Sequence, residues 1–580
     1  MPKIDVNEEV FYTLAGRRWT SKEEFEEALV AAKAELDSEF NTGASGDEEK
    51  VLKIELNDTN RPDLWSTAGC ARQLRTHGGG KAPVYNFFSS PGAMKKTGYK
   101  VLAQKTVSAV RPFITGFIAR GKSISDPMLR DMIQTQEKLA WNFGRKRRTI
   151  SMGLYRISII KWPIIYKGVD PDSVSFVPLQ WEGPLTLREI LKQHPKGKEY
   201  AFILEKEKVH PLLTDSTGAV LSYPPIINSA DLGAVQVGDS EIFVELTGGD
   251  QNTVTLATSI MACDLADNGF TIEPVEIEYE YDTPFGRNCT TPYYFQEPVF
   301  CSLKRIETFL GEKLSGDECL AALVKMGVKA EKAVDTEKGE SVKGEGIKAW
   351  PPEYRNDFLH AADIGEDVMI GRCLSSFKPE RPRDFTVGRL TPLTYFSRRV
   401  KEVMTGLGYQ EMIYNYLGSR KDFVERMRGK GEKIIRISNP MTENYEYLRD
   451  GIMASLLISE SVSGHAAYPH RIFEIGKVVY RDDSDNYGSV TRQHLGFLHA
   501  EKDSSFNTVA AEIQTLFYYM SREYSVEESA DPRFIPGRAA ALVYKSRPIG
   551  VFGELHPELL ENWGLTMPCI AAEIDIEALL

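Results

Sequence analysis

Asp357, Asp363, Glu366 and Asp367 place four carboxylates within eleven residues of the segment 350–372 (WPPEYRNDFLHAADIGEDVMIGR). A helix beginning at Ala361 puts Asp363, Glu366 and Asp367 at i, i+3 and i+4, on one face. Like charges that close repel, so the face needs full solvation or a cation. Carboxylate oxygens with no cysteine or histidine among them suit a hard ion, Mg2+ or Ca2+, rather than zinc. Spacing alone favours a simpler account, an acidic first turn that complements the helix dipole.

A second concentration of chemistry lies at 220–230 (VLSYPPIINSA), where two prolines and a Ser/Asn pair end an apolar strand. Such backbone can fix a rigid pocket rim, with Ser222 and Asn228 as hydrogen-bonding groups. The following segment 242–250 (IFVELTGGD) adds Glu245 and Thr247 beside Gly248 and Gly249, where backbone can approach a ligand. The competing account is a strand end with a glycine turn. No GxSxG elbow, HExxH pair or Walker loop is present, and the nine histidines are isolated. Arg449 and the strand 473–479 (FEIGKVV) suggest a nucleotide-binding antiparallel sheet, but a glycine-rich, arginine-terminated strand for ATP is absent. The nearest candidate, 534–540 (FIPGRAA), has a single glycine. Arg145, Lys146, Arg147 and Arg148 form a basic run, read on charge alone as a solvated helix end rather than an RNA contact.

The elements that must position these groups belong to several domains, because 580 residues exceed what one core supports. A hydrophobic share of 42% with 26% charged residues is ordinary for a globular protein. No apolar run reaches ~18 residues, so no membrane span is expected. The start, MPKIDVNEEVFYTLAG, lacks an apolar core behind basic residues and does not read as a secretory signal. Seven scattered cysteines without a CxxC pair argue against zinc or a disulfide framework and fit a reducing cytosol. The net charge of −12 excludes a chain wrapped in nucleic acid over its whole surface but permits local basic footprints.

Along the chain, 21–36 predicts a helix with Ser21 and Glu24 as a capping box. A polar turn follows at 41–50, then a strand at 51–56 and a helix through Ala68 and Leu74. The connector at 76–96 is the first boundary. The region 86–285 is mixed, with strands predicted at 111–121, 199–207, 219–228, 241–250 and 274–282 and helices at 127–143 and 252–270. Residues 290–378 form a small unit with a helix near 316–327. The Pro/Arg-rich stretch 377–392 is the last linker, followed by a helix at 393–409 and strands including 433–439, 470–482 and 492–500.

Several segments, in order, resemble the β subunit of phenylalanyl-tRNA synthetase in its archaeal and eukaryotic form. They are 54–75 (IELNDTNRPDLWSTAGCARQLR), 136–148 (QEKLAWNFGRKRR), 176–179 (FVPL), 221–228 (LSYPPIIN), 242–250 (IFVELTGGD) and 351–371 (PPEYRNDFLHAADIGEDVMIG). The series continues with 437–457 (ISNPMTENYEYLRDGIMASLL), FEIGKVV, IPGRAA and the ending MPCIAAEI. The resemblance implies a multidomain α+β chain. Its parts would be an N-terminal α/β module (1–85), an editing-type, tRNA-binding α+β module (86–285), a small metal-site module (290–378) and a class II synthetase-like antiparallel-sheet domain lacking catalytic motifs (385–580). It implies a cytoplasmic (αβ)2 heterotetramer that joins phenylalanine to tRNA(Phe), with ATP bound and aminoacylation carried out by the α subunit. The family's Mg2+ site maps onto Asp357, Asp363, Glu366 and Asp367. The middle module resembles one that hydrolyses tyrosine wrongly attached to tRNA(Phe), and its pocket motif maps onto Ser222, Asn228, Glu245 and Thr247.

A mainly apolar pocket rejects an added hydroxyl poorly, so a second pocket that binds the hydroxyl is chemically sensible. Such a site would orient a water at the ester carbonyl and needs no nucleophilic triad. The chain departs from the family pattern at 154–158 (LYRIS), where relatives carry a His-Asp-Leu run. It departs again at 237–240 (VGDS) and at the non-basic Ala234. Two other expectations compete: a stand-alone aminoacyl-tRNA deacylase, and a non-catalytic Mg2+-binding scaffold.

Overall fold

The computed structural model describes residues 2–37, 50–58, 60–90, 97–233, 235–334, 344–383 and 386–580; positions 41–49 of the expected polar turn, and Ala234, lie outside the described residues. The chain folds as two units, Met1–Glu380 and Arg381–Leu580.

The first unit is built around a ten-stranded mixed sheet. Its main path runs Ile227–Asn228, Val220–Tyr223, His210–Thr214, Ile164–Val169, Lys100–Ala103, Thr271–Tyr279, Phe113–Arg120, Glu241–Gly248 and Ile150–Arg156. The inner strands Phe113–Arg120 and Glu241–Gly248 are nearly continuous apolar runs because both sheet faces are covered. One face packs the helix Gln251–Asp267, whose start is capped by Asp250 accepting from Thr253 N at 2.7 Å. Residues on either side of position 85, from Ile4 and Phe25 to Phe117 and Met261, share this apolar core. The other face buries Val101, Tyr155, Tyr166, Leu213 and Phe243.

The N-terminal part contributes the three-stranded sheet Lys3–Asn7, Val51–Leu56, Ala34–Leu36 and the helix Thr67–His77. Residues 299–372 form a smaller layer. There the strands Val299–Ser302, Glu345–Trp350 and Lys329–Val334 pack against helices Leu303–Leu310, Gly316–Lys325 and Ala361–Arg372.

Two sequence expectations change. The helix expected over 21–36 stops at Leu29: Lys33 takes a left-handed conformation (φ 51°) and Ala34–Leu36 pairs with the strand ending at Leu56. Ser21 still caps Glu24 N at 3.2 Å, so the start was legible and the end was decided by strand pairing. The strand expected over 199–207 is instead the helix Pro195–Tyr200 followed by a 3-10 turn at Ala201–Ile203. Pro195 opens that helix, and the His194 ring accepts from Lys196 N at 3.1 Å.

The second unit is a seven-stranded sheet in the order Gln410–Glu411, His470–Arg481, Ser489–Ala500, Cys569–Asp575, Arg547–Leu555, Phe534–Tyr544 and Ser525–Glu528. All its pairs are antiparallel except the first. Helices Pro392–Gly406 and Phe506–Met520 cover one face, and Met453–Val462 lies in the core on the other. The strand expected at 433–439 is reduced to Ile435–Arg436.

Arg72 joins three parts of the first unit. From the helix Thr67–His77 it donates to Asp267 Oδ2 at 2.8 Å and Asp264 Oδ1 at 3.2 Å on the helix Gln251–Asp267. Its guanidinium also lies 4.1 Å from the ring centroid of Tyr354. It is 2% exposed, so removing it leaves the buried Asp264 without its cation and Asp267 with only Arg75, at 3.8 Å. Arg72→Ala is expected to destabilise this unit by about 3–5 kcal/mol in denaturant unfolding. A loss below about 1 kcal/mol would show that the pairing is not structural.

Candidate functional site

The two ends of the ten-stranded path face each other across a cavity of about 330 Å³. Ser222, Pro225 and Asn228 line it from one end, Ser151, Met152 and Leu154 from the other, with Met132 and Gln136 on the helix between. The Pro224-Pro225 turn separates Val220–Tyr223 from Ile227–Asn228, which pair antiparallel with Ser222 opposite Asn228. This register turns both side chains toward one face.

Glu245 also lines the cavity, although it is only 2% exposed. Its partner in the neighbouring strand is Gly153, where a β-carbon would collide with the Tyr155 hydroxyl and crowd Glu245 Oε1. The bare glycine lets the Tyr155 phenol fold back over its own strand. The phenol oxygen lies 3.0 Å from Glu245 Oε1 and 2.9 Å from Ser222 Oγ. With one proton to give, Tyr155 donates to the carboxyl and accepts from the serine. Among the described residues Glu245 Oε2 has no hydrogen-bond partner. Burial pushes the Glu245 carboxyl up to about 7, against the opposing pull of the Tyr155 hydrogen bond and the Arg111 charge.

Thr247 is fully buried and supports the site from behind. Its hydroxyl accepts from Arg111 Nε at 2.9 Å and lies 3.0 Å from Ser151 Oγ. Arg111 also donates to Thr247 O at 2.6 Å, Ser151 Oγ at 3.1 Å, and the carbonyls of Arg147 and Arg148 at 3.2 and 3.1 Å. These acceptors are neutral, and burial lowers the guanidinium to about 10. Ser222, Asn228 and Glu245 therefore meet at one cavity, whereas Thr247 anchors Arg111. Asn228 donates its amide to Gly233 O at 3.1 Å.

The four carboxylates of 357–367 do not converge on one point. Arg355, two residues before Asp357, takes both Asp357 oxygens at 3.0 and 2.6 Å and both Asp367 oxygens at 2.6 and 3.1 Å. Burial pushes Asp357 up, but the charge and hydrogen bonds of Arg355 outweigh it and hold the carboxyl at about 2. Asp363 Oδ2 accepts from the backbone N–H groups of Leu359 and His360 at 2.7 and 2.8 Å, capping its own helix. Glu366 pairs with Lys33 at 2.6 Å. Among the described residues no group of three or more His, Cys, Asp or Glu is placed to hold a metal ion. In the chain by itself the four residues of the expected Mg2+ set, Asp357, Asp363, Glu366 and Asp367, thus have separate partners, with the Arg355 guanidinium between the two buried ones.

A family profile for the tRNA synthetase B5 domain matches residues 299–372, and one for the phenylalanyl tRNA synthetase beta chain CLM domain matches 380–576. The phenylalanine–tRNA ligase beta subunit of Treponema pallidum is 45% identical over 614 residues, covering 100% of both chains. That of Borreliella burgdorferi strain ZS7 is 45% identical over 583 residues with the same coverage. The chain belongs to the phenylalanine–tRNA ligase beta subunit family. An N-terminal fragment of the phenylalanyl-tRNA synthetase beta subunit from Pyrococcus horikoshii matches at TM-score 0.56 and 34% identity, covering 64% of this chain and 99% of that one.

As a beta subunit of this ligase, the chain is part of an aminoacyl-tRNA synthetase complex. In the second unit, Arg449 is 1% exposed and donates to Glu474 at 2.6 and 2.9 Å, so the arginine that suggested nucleotide binding is held inside the core. Gly476 leaves room for it, because a β-carbon there would collide with its Nη2. Among the described residues no helix is long and apolar enough to cross a membrane.

Sequence reasoning missed Tyr155 and Arg111. Tyr155 lies in the stretch that departs from the family's His-Asp-Leu run, and from behind the cavity its hydroxyl holds two lining residues, Ser222 and Glu245. The available signal was strand alternation, which puts Ser151, Gly153 and Tyr155 opposite Thr247, Glu245 and Phe243.

Two outcomes are expected. First, Arg355→Ala lowers the melting midpoint of the isolated chain, because Asp357 and Asp367 lose the cation they share; an unchanged midpoint would contradict that role. Second, the folded chain keeps a proton on Glu245 between the unfolded carboxyl value of about 4.3 and its folded value of about 7. Stability from this group is therefore greatest below about pH 4 and is lost as pH rises through about 7. Relative to wild type, Glu245→Gln should gain up to about 3 kcal/mol in unfolding free energy between pH ~5 and ~9. A pH-independent difference would rule out the raised carboxyl.

Proposed function

We propose that the 330 Å³ cavity is a hydrolytic editing pocket for tyrosine esterified to tRNA(Phe). The observation that carries this reading is the unpartnered Glu245 Oε2 on a fully buried carboxyl at the cavity wall. A buried polar atom without a partner is costly, and a ligand hydroxyl that satisfies it gains what an analogue lacking the hydroxyl cannot. Tyrosine differs from phenylalanine by that donor. Tyr155 occupies Oε1, so the free lobe is left for the substrate phenol. Ser222 and Asn228 present further polar atoms, and Met132, Met152 and Leu154 supply apolar wall for the ring.

Water would add to the ester carbonyl and the carbon–oxygen bond to the ribose would break. Free tyrosine and the tRNA hydroxyl would result. The pocket's contribution is to hold the ester and a water in contact and to exclude competing geometries. The same reading carries an α-subunit partner in an (αβ)2 assembly, ATP used on that partner, and a cytoplasmic setting.

The test uses the chain assembled with its α partner. Wild type should hydrolyse Tyr-tRNA(Phe). Assayed above pH 7, where Glu245 is ionised, Glu245→Ala should slow that reaction about 10- to 150-fold, the range for losing one hydrogen bond to a charged group. Phenylalanine charging should be unchanged. Absence of hydrolysis in wild type, or an unaffected variant, would overturn the reading.

A further inference from the structure

The basic run at 145–148 is not the end of a solvated helix. After the helix Asp126–Lys138 and a π turn at Leu139–Phe143, Arg145, Lys146 and Arg147 adopt left-handed backbone at φ 48°, 55° and 65°. Three such residues in succession are unfavourable for L-amino acids, so surrounding bonds must impose them. Arg111 holds the carbonyls of Arg147 and Arg148 from beneath. Arg147 turns its own guanidinium inward, to Pro225 O at 3.2 Å and Ile226 O at 3.0 Å. One arginine of the run thus fastens the turn to the rim of the Glu245 cavity.

The other cations face outward beside aromatic rings. Lys146 Nζ lies 5.2 Å from the centroid of Trp141, which is 46% exposed. Arg148 lies 4.9 Å from that of Phe202, which is 40% exposed. Among the described residues, Lys138, Arg145, Lys146 and Arg148 form no ion pair with a carboxylate. Next to them runs an open groove of about 1020 Å³ lined by Lys138, Trp141, Arg145 and Lys3, with Asp250 as its one acidic member among the described residues. Lys3 is already paired with Asp37, and Asp250 caps a helix. In a chain of net charge −12, unpaired cations interleaved with exposed aromatics form a local footprint for a polyanion carrying flat bases.

We infer that the Trp141–Arg148 turn binds the single-stranded 3′ end of the tRNA, with a base stacked on Trp141 and phosphates on Lys138, Arg145 and Lys146. The turn would lead the terminal ester into the adjoining cavity. The inference rests on the editing reading for its choice of RNA end, because the turn and the cavity share the Arg147 attachment and the helix Asp126–Lys138 contributes to both. Shape and charge alone would also suit duplex phosphates, and the test separates the two.

The full chain assembled with its α partner is titrated with a labelled short single-stranded RNA ending in CCA. It is also titrated with tRNA(Phe) from which the single-stranded 3′ end has been removed. Trp141→Ala should weaken the oligonucleotide about 5- to 150-fold, the loss expected of one stacked base. Arg145→Gln and Lys146→Gln should each lower the salt slope of its binding by about 0.7. All three variants should bind the truncated tRNA as wild type does, and their melting midpoints serve as the folding control. Failure of wild type to bind the oligonucleotide, wild-type affinity in the variants, or equal losses on the truncated tRNA would overturn the inference. If the variants lose the oligonucleotide while wild type leaves Tyr-tRNA(Phe) intact, the RNA surface stands and the editing reading falls.

Discussion

A guanidinium removed from water must aim five N–H groups at acceptors, and the fold of this chain is organised by buried arginines that do so. Arg72 draws the N-terminal helix onto the long helix of the central sheet and onto Tyr354. Arg355 folds the 350s segment back onto the helix Ala361–Arg372 by gripping Asp357 and Asp367 together. Arg449 does the same inside the second unit with Glu474. Each pair is too dry to be screened by salt, and breaking one member leaves an uncompensated charge. Apolar packing supplies most of the driving force, and these ion pairs tie together the parts they join.

Arg111 differs because its acceptors carry no charge. It is set among two threonine and serine hydroxyls and three carbonyls, close enough to Glu245 for its charge to favour the carboxylate. Burial raises Glu245 and the arginine opposes it, so the carboxyl changes protonation near neutral pH. Tyr155, itself bonded to Ser222, then engages Oε1 and leaves Oε2 without a partner among the described residues. The result is an acceptor held in place before any ligand arrives, with little reorganisation left for binding. The same arginine pins the carbonyls of the basic turn, so one buried cation supports both the cavity floor and the neighbouring cationic rim.

Local signals in the sequence led to the segments, and tertiary pairing decided what they do. The Pro-Pro turn with Ser222 and Asn228 marked a pocket wall because those residues carry their own backbone instructions. The helix from Ala361 was legible from its spacing. What its carboxylates bind was not legible, since Asp363 serves the backbone and Glu366 meets Lys33 from more than three hundred residues away. Arg355 lies two residues from Asp357 in the sequence, but only the fold brings it to Asp367 as well. Tyr155 was hidden for a similar reason. Its value depends on a glycine two residues earlier and on register with Glu245, and neither is a motif. The strand expected at 199–207 failed because Pro195 and the His194 cap nucleate a helix that hydrophobic content did not announce.

The central claim is that the cavity selects by a hydrogen bond from the ligand's phenol to the free oxygen of Glu245. The most direct measurement compares, on the assembled complex, hydrolysis of tyrosyl, phenylalanyl and O-methyltyrosyl esters of tRNA(Phe). The O-methyl compound keeps the oxygen and removes the proton. The account predicts that the tyrosyl ester is hydrolysed fastest and that the other two fall together, by at least about tenfold. Equal hydrolysis of all three, or of the tyrosyl and O-methyltyrosyl esters, would contradict it.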